Sequence, residues 1–439
     1  MKRLLQYINS NVLIKVASLN SASVVTKIIA GFLTSKAIAL FVGAEGLALI
    51  GNLRDFLRSA QSVATLGFYN GLVKYIAEFK NNTIELSKTI STIFYVGFIS
   101  TIIVSSLCYF NADYINDSIF SYYNDYAYVI KIVAIALPFY ALNMFTFGIL
   151  NGFSKYKILI IINIIGQILG LSVTILLIYK ERIDGALISV AIAESLIFLI
   201  TLVGVANQRS LIPLVKVKSI SFSYLKKLSS FSIMAIFSAI LLPMVAIAIR
   251  SYIIDSNEVS GMQDAGHWEA MNRISKYYLM FVSSLLTLYI LPRFSEIDNI
   301  KEFRAEVFNF YKTIIPIFGA GLLLIYLLRH FIITLVFTKE EFAPVADLFL
   351  WQLLGDFVKV LSIVIAYQFL AKKMFWHYII TEAFSVLTLY FTSVYFIDIY
   401  GVKGANMAHF ATYVLYYGLI LLIFSTSLFG VIPEEDVED

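Results

Sequence analysis

Twelve apolar runs, separated by short polar breaks, constrain this chain more than any other feature of its sequence. A helix needs about 20 mostly apolar residues to cross the hydrocarbon core, where every backbone polar group must be satisfied internally. The runs lie at residues 14–41, 46–76, 84–108, 127–151, 156–179, 184–206, 228–254, 266–291, 308–336, 345–370, 376–398 and 404–429. Between them, residues 43–46, 111–126, 180–184, 207–227, 256–266, 296–304 and 338–344 read as loops. The chain is 59% hydrophobic and 14% charged, where soluble domains have about 45–50% and about 25%. The expected fold class is therefore an all-α integral membrane protein. A net charge of +4 is too small to point to nucleic acid. The single cysteine, Cys108, excludes an internal disulfide and a Cys-based metal site. Residues 1–11 are mixed and polar, with no pattern of a cleavable signal peptide.

Lys and Arg set the expected orientation. The N-terminus and the loops after even-numbered helices hold 19 of them, and the opposite loops hold four: Lys180, Arg182, Lys339 and Lys403. Both termini are expected in the cytoplasm. The chain also repeats. Gly46 and Gly266 are each followed six residues later by Asn, at Asn52 and Asn272. Lys74 answers to Arg293, and Gly185-Ala186 to Gly404-Ala405, with offsets of 219 or 220 residues throughout. Six helices per repeat is an even number, so the two halves should share one orientation, related by pseudo-two-fold symmetry along the membrane normal, with the site between them. The expected organisation is an N-terminal lobe at 1–206 holding helices 1–6, a cytoplasmic linker at 207–227, a C-terminal lobe at 228–430 holding helices 7–12, and an acidic tail at 431–439.

Against this apolar background a few charges stand out. An Arg or Lys at mid-bilayer costs about 2.5–3.5 kcal/mol on insertion scales, so such residues are rarely incidental. Arg54 and Arg58 are i and i+4 in the second helix, with Asp55 beside them. Glu269, Arg273 and Lys276 share one face of the eighth, and Lys27 lies mid-way along the first. Mutual neutralisation between packed helices, or snorkelling to the interface, would account for such charges. Here five basic residues face two acidic ones, Asp55 and Glu269, an imbalance that packing does not favour. A cationic cavity of Lys27, Arg54, Arg58, Arg273 and Lys276 fits an anionic substrate, and the guanidinium fork suits phosphate. Asp356 and Lys359, i and i+3 in the tenth helix, read either as a local neutral pair or as a proton or sodium relay. Glu194 and Glu382, lone carboxylates in the sixth and eleventh helices, read either as groups hydrogen-bonded between helices or as ion-coupling sites. Lys131 and Arg250 lie near helix ends and are expected to snorkel, and His409 alone is a weak signal. The chain has no Walker A pattern, no G-x-S-x-G and no His/Cys metal spacing, so no cofactor, metal or catalytic residue is expected.

Two longer motifs carry a resemblance. Gly67-Phe68-Tyr69-Asn70-Gly71-Leu72-Val73-Lys74-Tyr75-Ile76-Ala77-Glu78 resembles the end of the second helix in Wzx-type O-antigen translocases, a group that includes the lipid III flippases. Trp351-Gln352-Leu353-Leu354-Gly355-Asp356-Phe357-Val358-Lys359 resembles their tenth helix, and Thr26-Lys27, Gly31 and Gly43-Ala44-Glu45-Gly46 also match. The likeness spans roughly residues 15–425. It implies the polysaccharide-exporter branch of the multidrug/oligosaccharidyl-lipid/polysaccharide superfamily, with twelve helices in two six-helix lobes. It implies a transporter, not an enzyme, that flips an undecaprenyl-pyrophosphate-linked oligosaccharide to the outer leaflet of the bacterial inner membrane by alternating access. A polysaccharide polymerase and a chain-length regulator are the implied protein partners. Cations in the first, second and eighth helices of related flippases match Lys27, Arg54 and Arg273. Lys276 departs from the pattern, standing where relatives often carry an acid, and so does the acidic tail. The alternatives are a multidrug/cation antiporter of the same superfamily, which would want a net acidic cavity, and a membrane-embedded glycan polymerase, which need not repeat.

Overall fold

The computed structural model describes residues 12–120, 125–206, 216 and 219–430. The acidic tail, residues 1–11 and most of the expected linker lie outside the described residues. Every described element is a helix or a turn. In chain order they are α1 (Val12–Phe41), α2 (Gly43–Ala64), α3 (Tyr69–Phe79), α4 (Thr83–Phe110), α5 (Ala112–Phe120), α6 (Ala127–Gly152) and α7 (Tyr156–Val205). There follow α8 (Phe222–Ser256), α9 (Gly261–Leu285), a π-helical turn (Leu286–Ile290), α10 (Leu291–Glu296), α11 (Ile300–Leu327), α12 (Arg329–Val336) and α13 (Lys339–Phe342). A 3-10 turn (Ala343–Leu348), α14 (Phe349–Ala371), α15 (Phe375–Tyr400), α16 (Val402–Ile423) and α17 (Ser425–Phe429) complete the described chain.

Nine helices among the described residues are long and apolar enough to cross a membrane. One of them, α7, breaks at Arg182 (φ 48°, ψ −115°) and makes two spans. The α2–α3 and α9–α10 segments carry too much charge for that class, with Arg54, Asp55 and Arg58 in one and Glu269, Arg273 and Lys276 in the other. They complete the twelve transmembrane helices, six in each lobe. The chain forms two compact units, Met1–Ile247 and Ala248–Asp439, which divide within α8.

Each unit uses the same local devices at the same spacing. After α6 the chain turns through Ser154 at φ 58°, and after α14 through Lys373 at φ 54°. Three backbone bonds close the first turn, from Phe153, Ser154 and Lys155 to Ile149, Asn151 and Leu150; Lys372, Lys373 and Met374 repeat them onto Gln368, Leu370 and Phe369. Every one of these pairs is 219 residues apart, the offset expected from sequence. Arg182 and Gly401 are the matching positive-φ turn residues, and three residues on come Gly185 and Gly404. A Cβ on either glycine would lie 2.0 Å from a carbonyl oxygen eight residues back, Leu177 or Phe396. No side chain fits there, so Gly185→Ala and Gly404→Ala should each destabilise the protein by about 1–3 kcal/mol. Thermal unfolding of the purified variants measures this; unchanged melting temperatures would show that the helices do not approach so closely.

Polar side chains complete the backbone hydrogen bonding that a bilayer cannot. Pro138 in α6 and Pro243 in α8 cannot donate to the carbonyls four residues earlier. A serine from a neighbouring helix takes up each freed oxygen: Ser105 donates to Ala134, and Ser59 to Ala239 at 2.9 Å.

Four expectations change. The second apolar run is not one helix but α2 and α3, broken at residues 65–68. The ninth is interrupted at Leu328. Residues 111–126, expected as a loop, hold α5, and 338–344 hold α13 and the start of the 3-10 turn. In α5, Ile119 and Phe120 are buried, which gives the segment an apolar face to dock.

Candidate functional site

The break between α2 and α3 shapes the N-terminal unit. Leu66 and Gly67 turn the chain at φ 53° and 60°. A Cβ on Gly67 would stand 3.0 Å from the Ala235 Cβ and 3.2 Å from the Ser232 carbonyl of α8. At this turn lies a pocket of about 410 Å³, whose polar walls include Arg58, Gln61, Tyr69, Asn70, Tyr140 and Asn143. Neutral groups and one carboxylate hold several of these in place. Gln61 Nε2 donates to Glu194 Oε2 at 2.9 Å, Thr201 Oγ1 to Asn143 Oδ1 at 2.6 Å, and Asn151 Nδ2 to the Tyr69 hydroxyl at 3.2 Å. Arg58 makes no hydrogen bond or ion pair among the described residues and is exposed to the pocket. A cation without an acidic partner among the described residues, ringed by amides and hydroxyls, has the chemistry to hold an oxyanion.

The other expected residues of this unit are placed differently. Arg54 is half-buried one turn before Arg58, does not line the pocket and is held by other contacts. Asp55 is buried, and Lys27 is exposed on α1.

In the C-terminal unit a buried cluster joins α8 to α9. Glu269 Oε2 accepts from Arg250 Nη2 at 2.9 Å, and Glu269 Oε1 accepts from Arg273 Nε at 3.2 Å. All three residues are at most 2% exposed. The Arg250 guanidinium also stacks on Trp268, 5.3 Å from the ring centre. Arg250, expected to snorkel from a helix end, is instead buried, because Glu269 offers it a charge one helix away. Arg273 keeps Nη1 and Nη2 buried and without a hydrogen-bond partner among the described residues. Lys276 is exposed.

A second buried centre surrounds Asp356, which is fully buried in α14. Its Oδ2 accepts from Ser275 Oγ at 2.5 Å, from the Tyr278 hydroxyl, and from Gln352 Nε2 at 3.2 Å. Its Oδ1 faces His409 Nε2 at 3.0 Å. The expected Asp356–Lys359 pair forms no direct ion pair among the described residues: the Lys359 ammonium lies over the Tyr413 ring, 5.0 Å from its centre. His409, a weak signal in the sequence, is the ionisable partner. Its place on α16 belongs to no local pattern that the sequence displays. Glu382 is half-buried on α15, and Glu194 is exposed apart from its bond to Gln61.

The model of the family described as "Polysaccharide biosynthesis protein" matches residues 49–346, a stretch that carries both the Arg58 pocket and the Arg–Glu–Arg cluster. The chain belongs to this family. It is also similar to a curated flippase. The lipid III flippase of Escherichia coli (strain K12) is 27% identical over 423 residues, which cover 94% of this chain and 98% of that one. Among solved structures, an inward-facing multidrug resistance MATE family transporter of the MOP superfamily superposes with a TM-score of 0.70 at 14% identity, covering 91% of this chain and 95% of that one. The lipid II flippase MurJ in an inward closed conformation gives 0.68 at 16% identity, covering 94% and 88%. At these identities the likeness shows the fold, which this chain shares with the two transporters.

Proposed function

We propose that the protein is a flippase that moves an undecaprenyl-pyrophosphate-linked oligosaccharide from the cytoplasmic to the periplasmic leaflet of the bacterial inner membrane by alternating access. It is a transporter and not an enzyme. The observation that carries this reading is the likeness to a lipid III flippase along 94% of the chain. The chemistry of both units supports it. Arg58 offers a guanidinium with no partner among the described residues to a polar pocket, and Arg273, buried and paired through Nε with Glu269, keeps two nitrogens without hydrogen bonds among the described residues. A pyrophosphate has the charge and the several oxygens that such forks bind. A carrier of organic cations would want the opposite charge. Lys27, Arg54 and Lys276 extend the cationic set, with Asp55 and Glu269 as counter-charges. A polysaccharide polymerase and a chain-length regulator are the partners that would take up the flipped unit.

The test is complementation in a strain stripped of its own lipid-linked-glycan flippases. The wild-type gene should restore surface polysaccharide, and Arg58→Ala or Arg273→Ala should leave undecaprenyl-linked glycan accumulating inside. Arg273→Ala should still fold, since Glu269 keeps its bond to Arg250. Accumulation that persists with the wild-type gene, well expressed, would reject the reading for that glycan class.

Orientation is tested separately. Reporter fusions after Asn20, Asn207 and Pro433 should all report cytoplasm, following the 19-to-4 basic asymmetry. A periplasmic signal at Asn207 would break the six-plus-six topology.

A further inference from the structure

We propose that Asp356 and His409 form a proton-carrying pair that couples transport to a proton gradient, and that the coupled ion is a proton and not sodium. The proposal rests on the flippase reading for its cargo, and on the C-terminal unit alone for its chemistry.

The hydrogen bonds around the pair fix where a proton can go. Three donors occupy Asp356 Oδ2: Ser275, Tyr278 and Gln352. Oδ1 has one hydrogen-bonding neighbour among the described residues, His409 Nε2 at 3.0 Å. Proton exchange is therefore confined to the Oδ1–Nε2 line. The amide of Gln352 gives the imidazole a partner in both of its states. With a proton on Nε2, the ring donates to Asp356. Without it, the same nitrogen accepts from Gln352 Nε2 at 3.3 Å. The amide cannot turn round to spoil this, because its Oε1 accepts from Asn406 Nδ2 at 2.7 Å and its Nε2 faces a carboxylate. Gly355 makes the room: a Cβ there would lie 2.3 Å from His409 Cδ2.

The donor set also favours a proton over sodium. Sodium, like other hard cations, is held by oxygen lone pairs. At this fully buried carboxylate both oxygens are already met by hydrogen-bonding groups, O–H and N–H donors on Oδ2 and a ring nitrogen on Oδ1, which leaves no cage of oxygens around it among the described residues. A proton needs only the pair. Bound from water on one side, it sits on Oδ1 or Nε2; released to water on the other, it leaves carboxylate and neutral imidazole. Among the described residues, the other ionisable groups around the pair are Tyr278 on α9, Lys359 on α14 and Tyr413 on α16, with Glu382 on α15 acting on Lys359. Lys359 is poised to offset the carboxylate charge when the proton is gone. Ser275 and Tyr278 lie on the helix that carries Glu269 and Arg273. A change in Asp356 protonation therefore alters bonds to the same rigid element that holds the cationic cluster.

Two measurements test this. In the first, the purified protein is titrated without substrate and followed by infrared difference spectroscopy. A protonated-carboxyl band should appear on acidification, vanish in Asp356→Asn and shift in His409→Gln. A band unchanged in both folded variants would overturn the proposal. In the second, the protein is reconstituted in liposomes with undecaprenyl-pyrophosphate-linked N-acetylhexosamine. A pH gradient should raise wild-type transport by up to about tenfold per pH unit, a sodium gradient at uniform pH should not, and both variants should lose the response. Transport driven by sodium alone would overturn the proton assignment. Should the variants misfold, Tyr278→Phe, which removes one donor from Oδ2, should shift the pH profile, and an unshifted profile would count against the pair. If the wild type moves no lipid under any gradient, the flippase reading fails while the infrared result still stands by itself.

Discussion

Glu269→Ala should destabilise the protein by about 3–5 kcal/mol, enough to keep most of it from folding. The carboxylate is shared by two guanidiniums, at 2.9 Å and 3.2 Å, and all three groups are sealed from solvent. Removing it leaves two buried cations without the counter-charge they share. Deleting one cation is different. In Arg273→Ala the carboxylate still meets Arg250, so the loss should be smaller and should fall on transport. Glu269→Gln should lie between, because the amide oxygen can accept one of the two bonds. Detergent-stable yield and melting temperature measure all three. A Glu269→Ala protein that folds at wild-type yield would mean that the cluster does not hold α8 to α9.

Much of the fold was legible because a bilayer enforces simple rules. Helix count followed from run length, and the 219-residue repeat recurs in the turns at Ser154 and Lys373 and at Arg182 and Gly401. The break at Leu66–Gly67 was not legible. Neither residue interrupts an apolar run, and the close approach of α8 to Gly67 is a tertiary contact that no local pattern displays. The candidate site was read in part. The excess of basic residues was visible along the chain, but helical spacing cannot say that Arg58 reaches a pocket while Arg54, one turn away on the same face, does not. Pairing across helices was the harder matter. Arg250 and Glu269 are 19 residues apart on different helices, and Asp356 and His409 are 53 apart, so local charge patterns showed the Glu269–Arg273 pair but neither of these two.

Arg58→Ala should lower flipping by about 10- to 100-fold, the loss expected for one or two charge-assisted hydrogen bonds. The fold should be unaffected, because the side chain is exposed and holds no partner among the described residues. Arg58→Lys should recover only part of the activity, since an ammonium keeps the charge but not the two-pronged geometry. Asp55→Asn should be milder, as it removes a counter-charge and not a ligand. If Arg58→Ala were as active as wild type at native expression, the pocket would not meet the pyrophosphate.

The central claim is flipping itself, and it is tested most directly with purified protein. Liposomes carrying an undecaprenyl-pyrophosphate-linked oligosaccharide are exposed to a glycosidase that cannot enter them. With wild-type protein, glycan from the inner leaflet should become cleavable over time, while liposomes holding Arg58→Ala should stay close to the protein-free control. Inner-leaflet glycan that remains as protected with the wild type as in empty liposomes, with and without a proton gradient, would contradict the proposed function.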